Sequence, residues 1–288
     1  MRSIGPVPVS VPASVPASVP VSVPPVSVPA ITIRTYSELT KFADAFAEGK
    51  LNLLILIGSA GLAKSQTIRN TVGKKVCWIE GNATAFGMYT DLFRHRDELV
   101  IIDDVDSLYS DRAAVRLLKS LCQTDPVKRV SWHSNAAGLS KEKIDREFET
   151  KSRVCIIAND WKNLDANTAA VRDRGHLVFF EPTAEEIHAK VGEWFSHQHI
   201  YDWFGNHLHL VPNLSMRLYV RATELEAAGI DWVEHLLAEQ PERARIVAKL
   251  LADSQLENEE QRVGEFGRQT GASRATYYNW KKKLRRAA

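Results

Sequence analysis

The stretch Leu53–Thr67, LLILIGSAGLAKSQT, constrains the fold more than any other part of the chain. Five apolar residues run into a glycine-bearing turn that ends in Lys64-Ser65, and a helix-like segment follows. A continuous apolar run is typical of a strand buried on both faces. The order strand, glycine turn and helix therefore predicts a parallel β-strand that delivers a phosphate-binding loop to a helix N-terminus.

The turn matches the pattern G-x-x-x-x-G-K-[ST] except that Ala63 stands where the last glycine belongs. Such a loop binds phosphate because its backbone N–H groups converge on the oxygens, and bulky side chains would block that approach. Alanine is the smallest replacement, so we expect phosphate binding with some backbone strain. Lys64 is predicted to contact the β- and γ-phosphates, and Ser65 to offer its hydroxyl to Mg²⁺. The predicted nucleotide-binding residues of the loop are Gly58, Ser59, Ala60, Gly61, Leu62, Ala63, Lys64, Ser65 and Gln66.

Two further apolar runs end in polar side chains. Leu99-Val-Ile-Ile is followed by Asp103 and Asp104, and Val154-Cys-Ile-Ile-Ala is followed by Asn159. Asp103 is predicted to hold Mg²⁺, and Asp104 to orient or deprotonate an attacking water, with a reach about one methylene shorter than glutamate. Asn159 is predicted to fix that water or to touch the γ-phosphate.

Short apolar runs alternate with helix-like segments over residues 31–182, which predicts an α/β fold with a parallel five-stranded sheet flanked by helices. The predicted strands are Leu51–Ile57, Val76–Glu80, Leu99–Asp103, Arg153–Ala158 and Leu177–Phe180. Residues 1–30 are rich in Val, Pro and Ser and predict a disordered, extended tail. Residues 183–238 show only helical periodicity and begin with a capping-box pattern, Thr183-x-x-Glu186. Residues 239–288 predict a small helical C-terminal domain.

Arginines occur at two places downstream of these motifs. Arg172 and Arg174 precede the fifth predicted strand, and Arg217 opens an amphipathic helix. The phosphate loop, the Asp-Asp strand end, Asn159 and these arginines come in one order, and together they resemble an AAA+ P-loop ATPase over roughly residues 31–237.

The resemblance implies ATP between the sheet and a helical lid, and self-association into a ring or spiral. Arg217 is similar to the sensor 2 arginine, which contacts the nucleotide, and Asn159 to sensor 1. Either Arg172 or Arg174 resembles the arginine finger that reaches a neighbour's ATP. The Asp-Asp pair resembles replication-initiator, helicase-loader and transposition-helper members, which handle DNA.

The C-terminal end is strongly basic. Residues 262–288 contain eight Lys or Arg against one acid, Glu265, although the whole chain carries a net charge of only +2. The segment Val263–Leu284 predicts a helix-turn-helix with a core of Val263, Phe266, Tyr277, Trp280 and Leu284. We expect DNA to bind through residues 262–288. Candidates for base contacts are Arg274, Thr276, Tyr278 and Asn279, and candidates for phosphate contacts are Lys281–Lys283, Arg285 and Arg286.

Other features of the sequence bear on membrane association, cellular compartment and metal binding. The longest apolar run is too short to span a bilayer and no secretory signal is evident, so we expect no membrane partner. Three isolated cysteines, Cys77, Cys122 and Cys155, fit buried thiols in a reducing cytoplasm. The H-x-H pairs at residues 197–199 and 207–209 would bind a metal only if they converged on one ion, and the intervening IYDWFG is typical of core or turn rather than of a zinc site.

Three functional hypotheses follow. The chain is an ATP-hydrolysing protein acting on DNA in replication, transposition or a related mobile-element process. Alternatively, it is a DNA-binding regulator that uses ATP as a slow switch, which Ala63 and Asp104 favour. A third alternative is a protein-remodelling ATPase with a protein client, tethered by its basic end.

Overall fold

The computed structural model describes residues 30–133, 139–141, 143–160, 169–208, 211, 213–237, 242–253 and 255–286; for residues 169, 170, 252 and 283–286 it describes the backbone alone. The Val/Pro/Ser-rich segment predicted to be disordered therefore lies outside the described residues, apart from residue 30. The strands are β1 Ile31–Ile33, β2 Leu53–Ile57, β3 Val76–Glu80, β4 Leu99–Asp103, β5 Lys128–Ser131, β6 Glu147–Thr150, β7 Val154–Ala158 and β8 His176–Phe180.

Helices flank these strands and then follow them. Those between the strands are Tyr36–Ala47, Lys64–Thr71, Ala85–Arg94, Asp106–Ser110, Arg112–Leu121 and Ala169–Arg172. Those after β8 are Ala184–Gly192, Gln198–His207, Met216–Ala227, Trp232–Leu237, Glu242–Ala252, Glu259–Thr270 and Arg274–Arg286. Within the described ranges, no helix has the length and apolar character needed to cross a membrane.

The main sheet has six strands in the order β1-β8-β2-β7-β4-β3, and every neighbouring pair is parallel. All carboxyl ends therefore meet at one edge. Because β2 lies between β8 and β7, the loop after Ile57 and the polar residues after β4 and β7 share that edge. The predicted fold class is confirmed, with a parallel sheet flanked by helices and a helical region after it.

The prediction of five strands was wrong by one. The sixth strand, β1, pairs with β8 at the sheet edge, with Ile31 opposite Val178 and Ile33 opposite Phe180. It has three residues, and only Ile33 is buried. A strand this short shows no usable alternation of apolar and polar residues, which is why the pattern along the chain missed it.

A separate two-stranded antiparallel sheet, β5 and β6, lies in the chain between β4 and β7 and was also not predicted. The Nζ atom of Lys128 in β5 is buried and donates to Asn52 Oδ1 over 2.7 Å and to the carbonyl of Ser152. These acceptors precede β2 and β7, so Lys128 fixes this small sheet to the amino edge of the large one.

The strand β2 is buried along its whole length and contributes side chains to two hydrophobic cores, one on each face of the sheet. Leu53, Ile55 and Ile57 pack in the core on one face of the sheet, and Leu54 and Leu56 in the core on the other. A strand covered on both faces needs apolar residues at every position, which explains the uninterrupted run LLILI.

The helices Ala184–Gly192, Gln198–His207, Met216–Ala227 and Trp232–Leu237 are here called the lid. The lid packs against the second of these cores through Ile187, Phe204 and Tyr219. Its first helix is capped by Thr183, whose Oγ1 accepts from the backbone N–H of Glu186. The Glu186 carboxylate accepts instead from the backbone N–H of Tyr36, over 2.8 Å. The expected reciprocal capping box is therefore only half formed, and its acid joins the lid to the helix Tyr36–Ala47.

Candidate functional site

The loop Gly58–Lys64 connects β2 to the helix Lys64–Thr71, here called the phosphate-loop helix. A Cβ on Gly58 would come 2.6 Å from the carbonyl oxygen of Phe180. Gly61 has φ +76°, and a Cβ there would lie 3.1 Å from the Cβ of Ser215. Both positions therefore require glycine, the first for space and the second for backbone conformation as well.

Ala63 occupies the last glycine position of the pattern with φ 56° and ψ 24°. This left-handed conformation costs an L-residue about 1–2 kcal/mol, whereas glycine adopts it freely. The residue is also the N-cap of the phosphate-loop helix and makes no side-chain cap. The N–H groups of the first turn thus face the loop without a side-chain acceptor, as an anion site at a helix N-terminus requires.

Lys64 is 5% exposed, and its ammonium lies inside the loop. Its Nζ donates to the carbonyls of Gly58 and Ser59 over 2.6 and 2.9 Å, and to Asn159 Oδ1 over 3.1 Å. Burial lowers the pKa of Lys64 to about 8, although the nearby carboxylates of Asp104 and Asp103 oppose this shift. The group is still mostly protonated at neutral pH and can offer positive charge to a phosphate.

Ser65 and Asp103 meet at the carboxyl edge of the sheet. The Ser65 hydroxyl donates to Asp103 Oδ1 over 2.8 Å. Burial raises the pKa of the Asp103 carboxyl, while the hydrogen bond from Ser65 opposes that rise. A hydroxyl and a carboxylate are the hard oxygen donors that Mg²⁺ prefers, and Mg²⁺ commonly takes only one or two protein groups besides phosphate and water. The pair fits that ion, and no group of three or more His, Cys, Asp or Glu able to hold a metal occurs among the described residues.

Asp104 lies just past β4 with φ 55°. Its backbone N–H donates to the carbonyl of Ile157 in β7, and its Oδ2 accepts from Asn159 Nδ2 over 2.7 Å. Asn159 thus bridges Lys64 and Asp104, so the structure brings the predicted loop lysine, acidic pair and asparagine into one site.

Two clefts flank the phosphate loop. The smaller, of about 380 Å³, is lined by charged and polar groups that include Lys64, Asp103, Asp104 and Arg217. The larger, of about 710 Å³, is lined by Arg34, Asp160 and Glu181 as well as by apolar side chains such as Phe180 and Ile187. Leu62 and Asn159 border both clefts. The two adjoining clefts together give room for an extended ligand with an anionic end at the phosphate loop.

Arg217 reaches the site from the lid. It lies in the first turn of the helix Met216–Ala227, and the backbone N–H of Met216 donates to the carbonyl of Gly61 over 3.0 Å. The side-chain Cγ of Arg217 would lie 3.3 Å from a Cβ on Gly61. The lid is therefore attached directly to the phosphate loop.

Arg172 and Arg174 lie elsewhere. They precede β8, whose amino end is at the opposite edge of the sheet from Lys64, and Arg174 Nη1 donates to the carbonyl of Lys119 over 3.0 Å. A five-residue strand separates the two edges by about 16 Å, so neither arginine joins the site of its own chain.

The structure adds three residues that the sequence did not indicate. Arg69, on the phosphate-loop helix, lines the smaller cleft, lies over Trp78 and pairs with Glu80. Two signals could have found this cluster. Arg69 follows Ser65 by one helical turn, and Glu80 ends β3 as Asp103 ends the neighbouring β4.

The C-terminal helices form a unit with a core of its own. The predicted core residues Val263, Phe266, Tyr277 and Trp280 pack there against Ala244, Val247 and Ala248 of the helix Glu242–Ala252. The helix before the turn begins upstream of Val263, because Asn258 and Gln261 form a capping box there. Gly271 ends that helix with φ 63°, and the hydroxyl of Ser273 caps the next helix by accepting from the N–H of Thr276.

The helix Arg274–Arg286 exposes Arg274, Tyr278 and Asn279, and leaves Thr276 half-buried. Lys281 is a candidate for a DNA phosphate contact, but its side chain is only 13% exposed and its Nζ pairs with Glu259 over 2.6 Å. Lys282 is exposed. The side chains of Lys283, Leu284, Arg285 and Arg286 lie outside what the structure describes.

No protein-family model matches the chain. An uncharacterised 36.7 kDa protein from the nrdC–mobD intergenic region of Enterobacteria phage T4 is 27% identical over 135 residues, which are 44% of this chain and 41% of that protein. The chain thus matches less than half the length of this relative.

Among solved structures, Cdc6p from Pyrobaculum aerophilum has a TM-score of 0.47 at 12% identity and covers 87% of this chain and 85% of its own. A DNA replication initiation factor gives 0.40 at 12% identity, with 85% and 81% covered. NtrX from Brucella abortus in complex with ADP gives 0.46 at 11% identity, with 86% and 68% covered. Scores this low carry no inference about activity. The strand order, the phosphate loop and the helices after β8 give this chain a parallel α/β fold with a phosphate loop, followed by a helical region.

Proposed function

We propose that this protein binds and hydrolyses ATP with Mg²⁺ and that it acts on DNA. One observation carries the proposal: Lys64 and Ser65, at the start of the phosphate-loop helix, are hydrogen-bonded to the strand-end residues Asn159 and Asp103. Residues that are far apart in the sequence thus provide an anion site and a cation site side by side, which phosphoryl transfer from a nucleotide requires.

Each residue has a role that its position supports. Lys64 and the N–H groups of the first helical turn would hold the phosphates, and Ser65 and Asp103 would hold Mg²⁺. The ion, when bound, neutralises charge on the phosphate oxygens. Asp104 would orient or deprotonate the attacking water, Asn159 would fix it, and Arg217 would contact the nucleotide from the lid.

ATP turnover with and without duplex DNA tests this function. Wild-type protein should hydrolyse ATP faster when DNA is present, and Lys64→Ala and Asp104→Asn should lose turnover. Asp104→Asn should still bind ATP, since it removes charge rather than a phosphate contact. ATP binding with no turnover by the wild-type protein would exclude hydrolysis as its function.

DNA is assigned to the C-terminal unit because its last helix exposes Arg274, Tyr278, Asn279 and Lys282 after a capped turn. A helix presented in this way can enter a major groove, and basic residues around it neutralise phosphates. Removal of residues 239–288 should abolish duplex binding and the stimulation by DNA. Unchanged remodelling of a protein client after that deletion would favour the protein-remodelling alternative. The proposed process is replication, transposition or a related mobile-element process.

Self-association into a ring or spiral would bring Arg172 or Arg174 to a neighbour's site, since neither reaches its own. Mixing Asp104→Asn with Arg174→Ala tests this. Restored turnover would place Arg174 across a subunit interface. Absence of rescue, with both variants still binding ATP, would leave Arg172 as the finger or a monomeric mechanism.

A second candidate function is a DNA-binding regulator in which ATP is a slow switch. It is favoured by the left-handed backbone of Ala63 and Asp104, at φ 56° and 55°, on both sides of the proposed phosphate site. Such strain costs about 1–3 kcal/mol at each residue and is a feature of switch regions as well as of catalytic ones. Tight ATP binding, nucleotide-dependent DNA affinity and negligible turnover would identify this function.

A further inference from the structure

Arg69, Trp78 and Glu80 form a cluster at the border of the smaller cleft. The guanidinium carbon of Arg69 lies 3.9 Å from the ring centroid of Trp78, and its Nη2 lies 3.0 Å from Glu80 Oε2. Trp78 and Glu80 are two residues apart on β3 and so share one face of the sheet. Glu80 is also the register partner of Asp103. The cluster is therefore built on the elements that present Ser65 and Asp103.

The contact between Arg69 and Glu80 is easily exchanged. The two side chains are 50% and 59% exposed, and solvent screens ion pairs of this kind so that they contribute little to stability. A terminal phosphate carries about −1.5 to −2 charges and offers several acceptor oxygens to the guanidinium fork. Arg69 already lines the cleft together with Lys64 and Asp104. A phosphate in that cleft would compete with Glu80 for the arginine.

We propose, on the basis of the proposed ATP function, that Arg69 exchanges Glu80 for the terminal phosphate of a bound nucleoside triphosphate. This exchange makes Arg69 a specificity-determining residue. A diphosphate lacks the group that attracts the arginine, so Arg69 stays paired with Glu80 when a diphosphate binds. Trp78 reports the exchange, because its ring is covered by the guanidinium only in the Glu80-paired arrangement.

Calorimetric titration of the full chain with Mg·ATP and with Mg·ADP measures the discrimination. Arg69→Ala should weaken ATP binding by about tenfold and change ADP binding by less than about twofold. Arg69→Lys keeps the charge but loses the fork, so its loss should be intermediate. Arg129→Ala is the matched control: it breaks an exposed Arg129–Glu147 pair on β5 and β6 that lines neither cleft, and it should leave both affinities unchanged.

Tryptophan emission provides a readout that is independent of turnover. The contribution of Trp78 is the difference between wild type and Trp78→Phe. It should change on adding ATP, stay constant on adding ADP, and become insensitive to ATP in Arg69→Ala. Glu80→Gln releases Arg69 without touching it, so the ratio of ATP to ADP affinity should rise. This variant tests the exchange even if Arg69→Ala fails to fold.

Equal losses of ATP and ADP affinity in Arg69→Ala, a Trp78 signal that ignores ATP, or a lower affinity ratio in Glu80→Gln would each overturn the role of Arg69. Those results leave the ATP function intact as long as wild type binds ATP and Lys64→Ala does not. A wild-type chain that binds no nucleotide contradicts the proposed function itself.

Discussion

Asn159 Nδ2 donates a hydrogen bond to Asp104 Oδ2 over 2.7 Å, and Oδ1 of the same amide accepts one from Lys64 Nζ over 3.1 Å. The amide therefore joins the cation that would hold phosphate to the carboxylate that would activate water. Because an amide has both a donor and an acceptor end, it can connect two groups of opposite charge without a charge of its own. The position of Asp104 is thus coupled to that of Lys64.

Replacement of Asn159 tests this coupling. Asn159→Ala should lower ATP turnover by about 10–100-fold, because Asp104 loses its orienting donor, while ATP binding changes much less. Asn70→Ala is the matched control, since this exposed amide on the phosphate-loop helix accepts a hydrogen bond from Gln66 and lines neither of the two clefts. Steady-state turnover and ATP titration measure the two effects. Turnover of Asn159→Ala at the wild-type rate would contradict the coupling.

Ala63→Gly should stabilise the protein. Glycine removes the cost of a left-handed alanine, which is about 1–2 kcal/mol. The greater conformational freedom of glycine in the unfolded chain offsets about 0.5–1 kcal/mol of that gain. The expected net gain is about 0.5–1 kcal/mol, which raises the melting temperature by a few degrees and is measurable by scanning calorimetry. Ala60→Gly, in the same loop but outside the left-handed region, should give no gain. A lower melting temperature for Ala63→Gly would show that the strain at this position is not relieved by glycine.

Much of the site could be predicted because its residues follow buried strands. Asp103, Asp104 and Asn159 come directly after apolar runs, and parallel strands bring all their carboxyl ends to one edge. The phosphate loop could be predicted for the same reason, because it directly follows the buried apolar strand Leu53–Ile57. The location of Arg217 in the smaller cleft could not be derived from residue spacing, since it depends on how the lid packs, and only the resemblance to AAA+ ATPases indicated it.

What the sequence could not predict depends on contacts between distant residues. β1 is too short to show periodicity. β5 begins with the buried Lys128, which looks like a surface residue until its acceptors, Asn52 Oδ1 and the Ser152 carbonyl, are known. Arg69 likewise resembles any exposed helical arginine. Its spacing from Ser65 and the position of Glu80 at a strand end are weak signals, and the pairing of β3 with β4 is what places Glu80 beside Asp103.

The packing of His188 in the lid predicts a pH dependence of stability. Its Nδ1 lies 2.8 Å from the Tyr219 hydroxyl, and its ring stacks on Tyr201 at 4.0 Å between centroids. Burial lowers the pKa of His188, and the nearby Asp202 carboxylate opposes this shift. The unfolded chain, with a histidine pKa near 6.5, therefore takes up the proton first, and stability is lost as pH falls through about 6.5.

Melting temperatures at neutral pH and about one unit below the histidine pKa measure this effect. His188→Gln cannot take up the proton, so it should lose less stability between the two conditions than wild type does. His176→Gln, at the exposed start of β8, should follow wild type. Identical losses for wild type and His188→Gln would assign the acid sensitivity to other groups.

Lys281 and Lys282 are neighbours on the last helix, and their removal should have different effects on stability. The Lys281 side chain is 13% exposed and pairs with Glu259 over 2.6 Å, whereas Lys282 faces solvent. Lys281→Ala should destabilise the C-terminal unit by about 1 kcal/mol, because a partly buried pair is broken, and Lys282→Ala by less than about 0.5 kcal/mol. Hydrogen exchange of the helices Glu259–Thr270 and Arg274–Arg286 measures this locally.

The same two variants separate stability from DNA binding. Lys282→Ala should weaken duplex binding and reduce the slope of log K against log salt by about 1, as expected for one lost phosphate contact. Lys281→Ala should leave that slope unchanged, since its ammonium is already paired with Glu259. A reduced slope for Lys281→Ala, with unaltered hydrogen exchange, would show that Lys281 leaves Glu259 to contact the DNA backbone.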